Sequence, residues 1–235
     1  MKNRYFTLVE LLVVIAIIAV LAGLAVPAVG IAKRKARETQ VRMDMQSIET
    51  ALLEYEKDVG TLKRLPNFDN FDALNSVDRQ LVNSFSTRAT RRYYDAVMEV
   101  LTFTPVDGSN ANSANLVETT GISSSSEKTI VSRNPKRNQY LRPAKEARTD
   151  PLDTSSAPPR QFLILDPWGR RYNIAMDANY NGYIDDARGF GGIAGDSAVR
   201  INSKVIIFSY GSDSSDDSRD YICSWKQMKW NPKKK

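Results

Sequence analysis

A chain of 235 residues with a net charge of +6, 42 % hydrophobic residues and no histidine cannot build a Ser-His-Asp or Cys-His catalytic apparatus or a His-ligated metal site. Its single cysteine, Cys223, rules out an intramolecular disulfide. The excess positive charge falls in short runs at residues 33–37, 88–92, 133–148 and 233–235 with no aromatic-basic module beside them, so these runs read as solvated faces and no nucleic-acid partner is expected.

Phe6-Thr7-Leu8-Val9-Glu10 runs into an almost purely apolar stretch that continues to Ile31. A secretory signal has an apolar core of roughly 7–15 residues, whereas a helix needs about 20 to cross a bilayer. Residues 11–32 meet the second requirement, and Lys33, Arg34 and Lys35 follow, so the segment is predicted to span a membrane and stay there. Glu10 lies near its start, and a charge at membrane depth needs a partner or a function. Beyond the span, Val41, Met45, Ile48, Leu52, Tyr55 and Val59 recur at alternating spacings of four and three, with Arg42, Asp44, Glu49 and Lys57 on other faces. One helix over residues 8–58, roughly 75 Å long at 1.5 Å per residue, is the economical interpretation. Gly60 is expected to cap it and Pro27 to kink or locally melt it. Lys2 and Arg4 on one flank are matched by Lys33, Arg34, Lys35 and Arg37 on the other, so charge alone does not orient the span.

Two short helices are predicted next, at 71–85 and 91–101, from apolar residues at helical spacing (Phe71, Leu74, Val77, Leu81, Val82, Phe85; then Tyr94, Val97, Met98, Leu101). Residues 107–128 are rich in Ser, Asn, Gly and Thr and read as a loop or disordered insert. Residues 134–160 are irregular, with Tyr140-Leu141 able to dock on the body. Strands are predicted at 161–165, 171–176 and 204–210, the last a Val-Ile-Ile-Phe run suited to a buried strand. They imply a small antiparallel sheet whose apolar face the amphipathic half of the long helix would cover.

Two acidic loops invite a divalent cation. Asp177, Asn179, Asn181, Gly182, Tyr183 and Asp185 follow the early positions of an EF-hand-like calcium loop, although Arg188 stands where the bidentate glutamate belongs. The alternative is an Asx-rich turn held by its own side-chain to backbone bonds. Asp213, Asp216, Asp217 and Asp220 offer four carboxylates around a second loop, with a solvated acidic turn as the alternative.

The residues 6–12, Phe-Thr-Leu-Val-Glu-Leu-Leu, with a basic leader before them (Lys2, Arg4) and a proline within the span, resemble the N-terminal segment of type IV pilins and type II secretion pseudopilins. Asp166-Pro167-Trp168-Gly169-Arg170-Arg171-Tyr172 is similar to the segment that opens the C-terminal sheet of major pseudopilins. Ser209-Tyr210-Gly211-Ser212-Asp213 and Ile222-Cys223-Ser224-Trp225 are similar to their terminal strand, calcium loop and closing segment. This resemblance implies cleavage by a prepilin peptidase between Tyr5 and Phe6, methylation of the new amine on Phe6, and pairing of Glu10 with a neighbouring subunit's amine during assembly. The chain departs from the family in having Tyr5 in place of the glycine before the cut, and Asp220-Tyr221 before the closing isoleucine.

The expected architecture is α+β: a long N-terminal transmembrane and amphipathic helix packed on a small C-terminal antiparallel sheet, pilin-like, with a helical and loop insertion between. Residues 1–5 are the leader, 6–32 the transmembrane and assembly helix, 33–60 its amphipathic half, 61–160 the variable insertion, 161–230 the sheet with its candidate calcium loops, and 231–235 a basic tail. The function expected is that of a non-enzymatic structural subunit of a homo-oligomeric filament, resembling the major pseudopilin of a type II secretion system. Its partners would be the prepilin peptidase and an inner-membrane assembly platform. It would be held by one pass in the inner membrane with the C-terminal domain outside the cytoplasm. An adhesive or minor type IV pilin, and a membrane-anchored binding domain with a pilin-like export segment, are the alternatives.

Overall fold

The computed structural model describes residues 8–66, 79–81, 88–105, 129–142, 164–177, 180–185, 200–211 and 222–225; within these elements the side chains of 24–28, 63, 79–81, 88–93, 185 and 200 are outside the description. By its internal contacts the chain divides into two units, Met1–Gln40 and Val41–Lys235. Helix α1, Leu8–Val59, contributes to both. It continues as helix through Pro27, so the local melting anticipated there does not occur.

Within the second unit, the four-three spacing puts Val41, Met45, Ile48, Leu52 and Tyr55 on one stripe, and each is at most 1 % exposed. Val59 packs at the edge of the same core. Gly60 ends the helix in the left-handed region (φ +85°), where glycine carries no Cβ penalty, and its N–H bonds to Glu56 O at 2.7 Å. A short 3-10 turn, Leu62–Arg64, then buries Leu62.

The stripe packs against a sheet formed by β1 (Arg79–Leu81), β2 (Asn173–Met176), β5 (Val205–Ser209) and β6 (Ile222–Cys223), all antiparallel in the order β1-β2-β5-β6. Strand alternation divides the side chains between two faces. Tyr172, Ile174, Met176, Val205, Ile207 and Ile222 share one core with the α1 stripe. Ala175, Ile206, Phe208, Tyr210 and Cys223 form a second cluster on the other face, with Ile184 and Ile201 from a separate strand pair, β3 (Ile184–Asp185) and β4 (Arg200–Ile201), and with Trp225. Both faces of β2 and β5 are buried, which is why β5 reads as a continuous apolar run and not as an alternating one. Helix α2 (Arg88–Thr102) adds Tyr94, Val97, Met98 and Leu101 to the first core, and α3 (Ile130–Arg133) adds Ile130. Thr129 caps α3, accepting the Ser132 N–H at 3.2 Å.

The α+β arrangement of an N-terminal helix on a small antiparallel sheet is therefore present. Two sequence expectations beyond the α+β arrangement need correction. The helix expected over 71–85 is, at its described residues Arg79–Leu81, strand β1, in register with β2 (Gln80 opposite Ala175). The helical spacing of the apolar residues is overridden at these three positions by the backbone hydrogen bonds that the edge of β2 supplies. Of the strand expected at 161–165, residues 161–163 lie outside the described residues, and Leu165 forms a bridge with Arg171. The strand expected from 171 begins at Asn173, because residues 166–170 close a tight turn.

Candidate assembly helix and acidic loops

In the first unit the apolar side chains of α1 are open to the surroundings, from Leu8 at 80 % to Leu21 at 62 % exposed and on to Ile31 at 71 %. Glu10 is exposed among them, in the first turn of the helix. Among the described residues, no helix is long and apolar enough to cross a membrane; the described side chains of this run stop at Gly23 and resume at Val29. Tyr5 and Phe6, the expected cleavage and methylation residues, lie outside the described residues. Basic residues follow the apolar run, with Arg34 paired to Glu38 at 3.2 Å one turn on.

In the second unit polar fasteners tie α1 to the chain around it. Tyr55 Oη donates to Arg133 O at 2.7 Å, and its ring meets Tyr140 edge-on at 5.5 Å. Tyr172 Oη donates to Asp44 at 2.8 Å across 128 residues of sequence. Asp58 receives Lys136 at 3.0 Å, Asn138 Nδ2 at 2.8 Å and Tyr140 Oη at 3.1 Å. The lysine bond first, then the asparagine bond, holds the Asp58 carboxyl below the usual range. Leu101 O accepts from both Tyr140 N and Leu141 N, so Tyr140-Leu141 does dock on the body. Lys204 pairs with Glu56 at 3.1 Å.

The loop at Asp177 sits beside the exit of this helix. Asp177, 2 % exposed, accepts Asn181 N at 3.1 Å on one carboxylate oxygen and Gly182 N at 2.8 Å on the other. Asn181 Oδ1 accepts Tyr183 N at 3.1 Å, and Gly182 adopts φ +87° as the sharp turn requires. Tyr180 Oη accepts the Leu62 N–H at 2.9 Å and lies 3.0 Å from Thr61 Oγ1. The loop is thus held as an Asx turn and fastened to the residues just past α1. Calcium takes six to eight oxygens. The described side-chain donors are the Asp177 carboxylate and the Asn181 amide oxygen, and no group of three or more acidic or thiol side chains comes together among the described residues. Asn179, the Asp185 side chain, and Asp213, Asp216, Asp217 and Asp220 lie outside the described residues.

The chain matches no family model, no curated protein and no solved structure.

Two polar features of the sheet's surroundings were not foreseen from sequence. Arg171 and Asp95 form a two-bond ion pair at 2.6 and 2.9 Å, with side chains 1 % and 0 % exposed. The partners are 76 residues apart, and neither position carries a local signal. Asp166, which the sequence marks only through a segment resemblance, organises the turn into β2. One of its oxygens accepts Trp168 N at 3.0 Å and Arg170 N at 2.8 Å, the other accepts Ser209 Oγ at 2.7 Å, and Gly169 completes the turn at φ +83°. Burial pushes the Asp166 carboxyl above its ordinary value, and the Ser209 bond opposes the shift.

Proposed function

We propose that this chain is a structural subunit of a pilus-like filament, of the kind resembled by its N-terminal and C-terminal segments, the major pseudopilin of a type II secretion system. The observation that carries this reading is α1 itself. Its N-terminal part keeps a run of apolar side chains and Glu10 exposed, while its C-terminal part is built into a core with a small antiparallel sheet. A helix of that kind offers one portion to other helices and commits the other to its own domain. The sequence of residues 11–32 supports a membrane span from which the subunit is drawn, with the C-terminal domain outside the cytoplasm.

In mechanism, cleavage before Phe6 by the prepilin peptidase creates a terminal amine, and Glu10 of an incoming subunit pairs with the amine of a neighbour. Inside a helix bundle the two charges shield one another from an apolar surrounding, and removing either leaves the other uncompensated. Apolar helix surface moving from lipid into a bundle gains packing and not transfer energy, so a platform and motor would drive assembly. A calcium ion on the loops at Asp177 and Asp213–Asp220 belongs to the same proposal, where it would relieve repulsion among Asp213, Asp216, Asp217 and Asp220 and rigidify both loops.

Mass spectrometry of the mature protein tests cleavage and methylation together. A mature chain beginning at methylated Phe6, recovered in sheared filaments, supports the reading; a chain that begins at Met1 and never leaves the membrane fraction as filament sinks it.

A further inference from the structure

The basic segment that follows the apolar run has no part in the filament mechanism. Lys33, Arg34, Lys35 and Arg37 fall within five residues of one helix, and all four side chains are exposed. Arg34 is engaged with Glu38, whereas Lys33, Lys35 and Arg37 form no ion pair with a described residue. At about 100° per residue, Lys33, Arg37 and Arg34 cover roughly 100° of the helix circumference and Lys35 lies on the far side. The charge therefore forms a collar and not a stripe.

Its axial position is equally specific. Residues 11–32 measure about 33 Å at 1.5 Å per residue, against a hydrocarbon core of about 30 Å. The cations begin at the next residue, which is headgroup depth for a helix inserted through that run.

We propose that Lys33, Lys35 and Arg37 bind the phosphates of anionic phospholipid headgroups. The inference rests on the membrane-spanning reading given above. The long aliphatic stems lie along the acyl boundary while the ammonium and guanidinium groups meet phosphate. Before assembly, a second copy at the same depth in the bilayer is a poor occupant, because it brings the same positive collar to that depth. The apolar run holds each subunit in the bilayer, and the collar selects the lipids that surround it there.

The test reconstitutes the full chain into vesicles of phosphatidylcholine alone and of equal parts phosphatidylcholine and phosphatidylglycerol. Resistance to alkaline carbonate extraction is measured, followed by the lipid composition retained around the chain in nanodiscs, by mass spectrometry. The chain resists extraction from both vesicles and retains phosphatidylglycerol in excess. Each cation contributes roughly fivefold at low salt, and the excess collapses at high salt. Lys33→Gln/Lys35→Gln/Arg37→Gln still resists extraction but loses the excess, and Lys33→Arg/Lys35→Arg keeps it. Equal retention of the two lipids by the unmodified chain, an excess that survives in the glutamine variant, or binding of poly-glutamate without lipid preference overturns the collar while leaving the membrane reading intact. Extraction of the unmodified chain from both vesicles overturns the membrane reading and the collar with it.

Discussion

At the scale of single residues, the buried pair Asp95–Arg171 and the turn acid Asp166 set stability in opposite ways. Deleting one member of a buried ion pair leaves an uncompensated charge, so Asp95→Ala should destabilise by about 3–5 kcal/mol in urea unfolding, whereas Asp95→Leu/Arg171→Met should come close to the parent. Asp166→Asn should be tolerated within about 1 kcal/mol, because the amide oxygen still accepts from Trp168 and Arg170 and Ser209 Oγ can accept where it now donates. Since burial raises the Asp166 carboxyl, its contribution is fully present below the ordinary value of 3.8 and is lost as pH rises through its folded value. Asp58 behaves in the reverse sense. Its carboxyl is lowered, so its contribution is present above 3.8 and is lost as pH falls through the lower folded value. Melting temperature followed from about pH 5 to pH 2 should therefore fall less steeply in Asp58→Asn than in the parent.

At the scale of elements, one helix serves two environments, and substitutions along it should report which is which. Leu52→Ala removes a fully buried side chain and should lower the unfolding free energy by about 2–5 kcal/mol. Ile17→Ala, at a position 55 % exposed, should leave the unfolding free energy unchanged within about 0.5 kcal/mol and, on the filament proposal, reduce filament yield by shear and sedimentation. The stripe from Val41 to Val59 was legible because alternating four-three spacing has no good strand equivalent over nineteen residues. The β5 run was legible because burial on both faces leaves no polar residue in Val205–Phe208. Strand β1 was not, since its three residues are selected by the free edge of β2 and not by their own side chains. The buried ion pair was illegible for a similar reason, as nothing near Asp95 points to a partner 76 residues away.

At the scale of the whole molecule, the filament reading depends on Glu10 and on the amine that cleavage before Phe6 would create. Glu10→Ala should abolish or sharply reduce sheared filaments while leaving subunit levels in the membrane fraction unchanged, and filament assembly at the parent level would remove the pairing role alone. Calcium is tested separately by melting the intact protein with and without a chelator; a fall in melting temperature on chelation supports an occupied loop, and no shift rejects one.

The sheet order β1-β2-β5-β6 also fixes when the molecule can be finished. A ribosome releases the α1 stripe well before Val205–Ser209 and Ile222–Cys223, which complete its cover. Contacts such as Glu56–Lys204 close a span of 148 residues, so loop closure must precede any reward from them. Until residue 204 has been made, the chain carries an apolar helix stripe without the sheet that receives it. Nascent chains halted before residue 204 should therefore be the protease-sensitive, chaperone-dependent form of this protein.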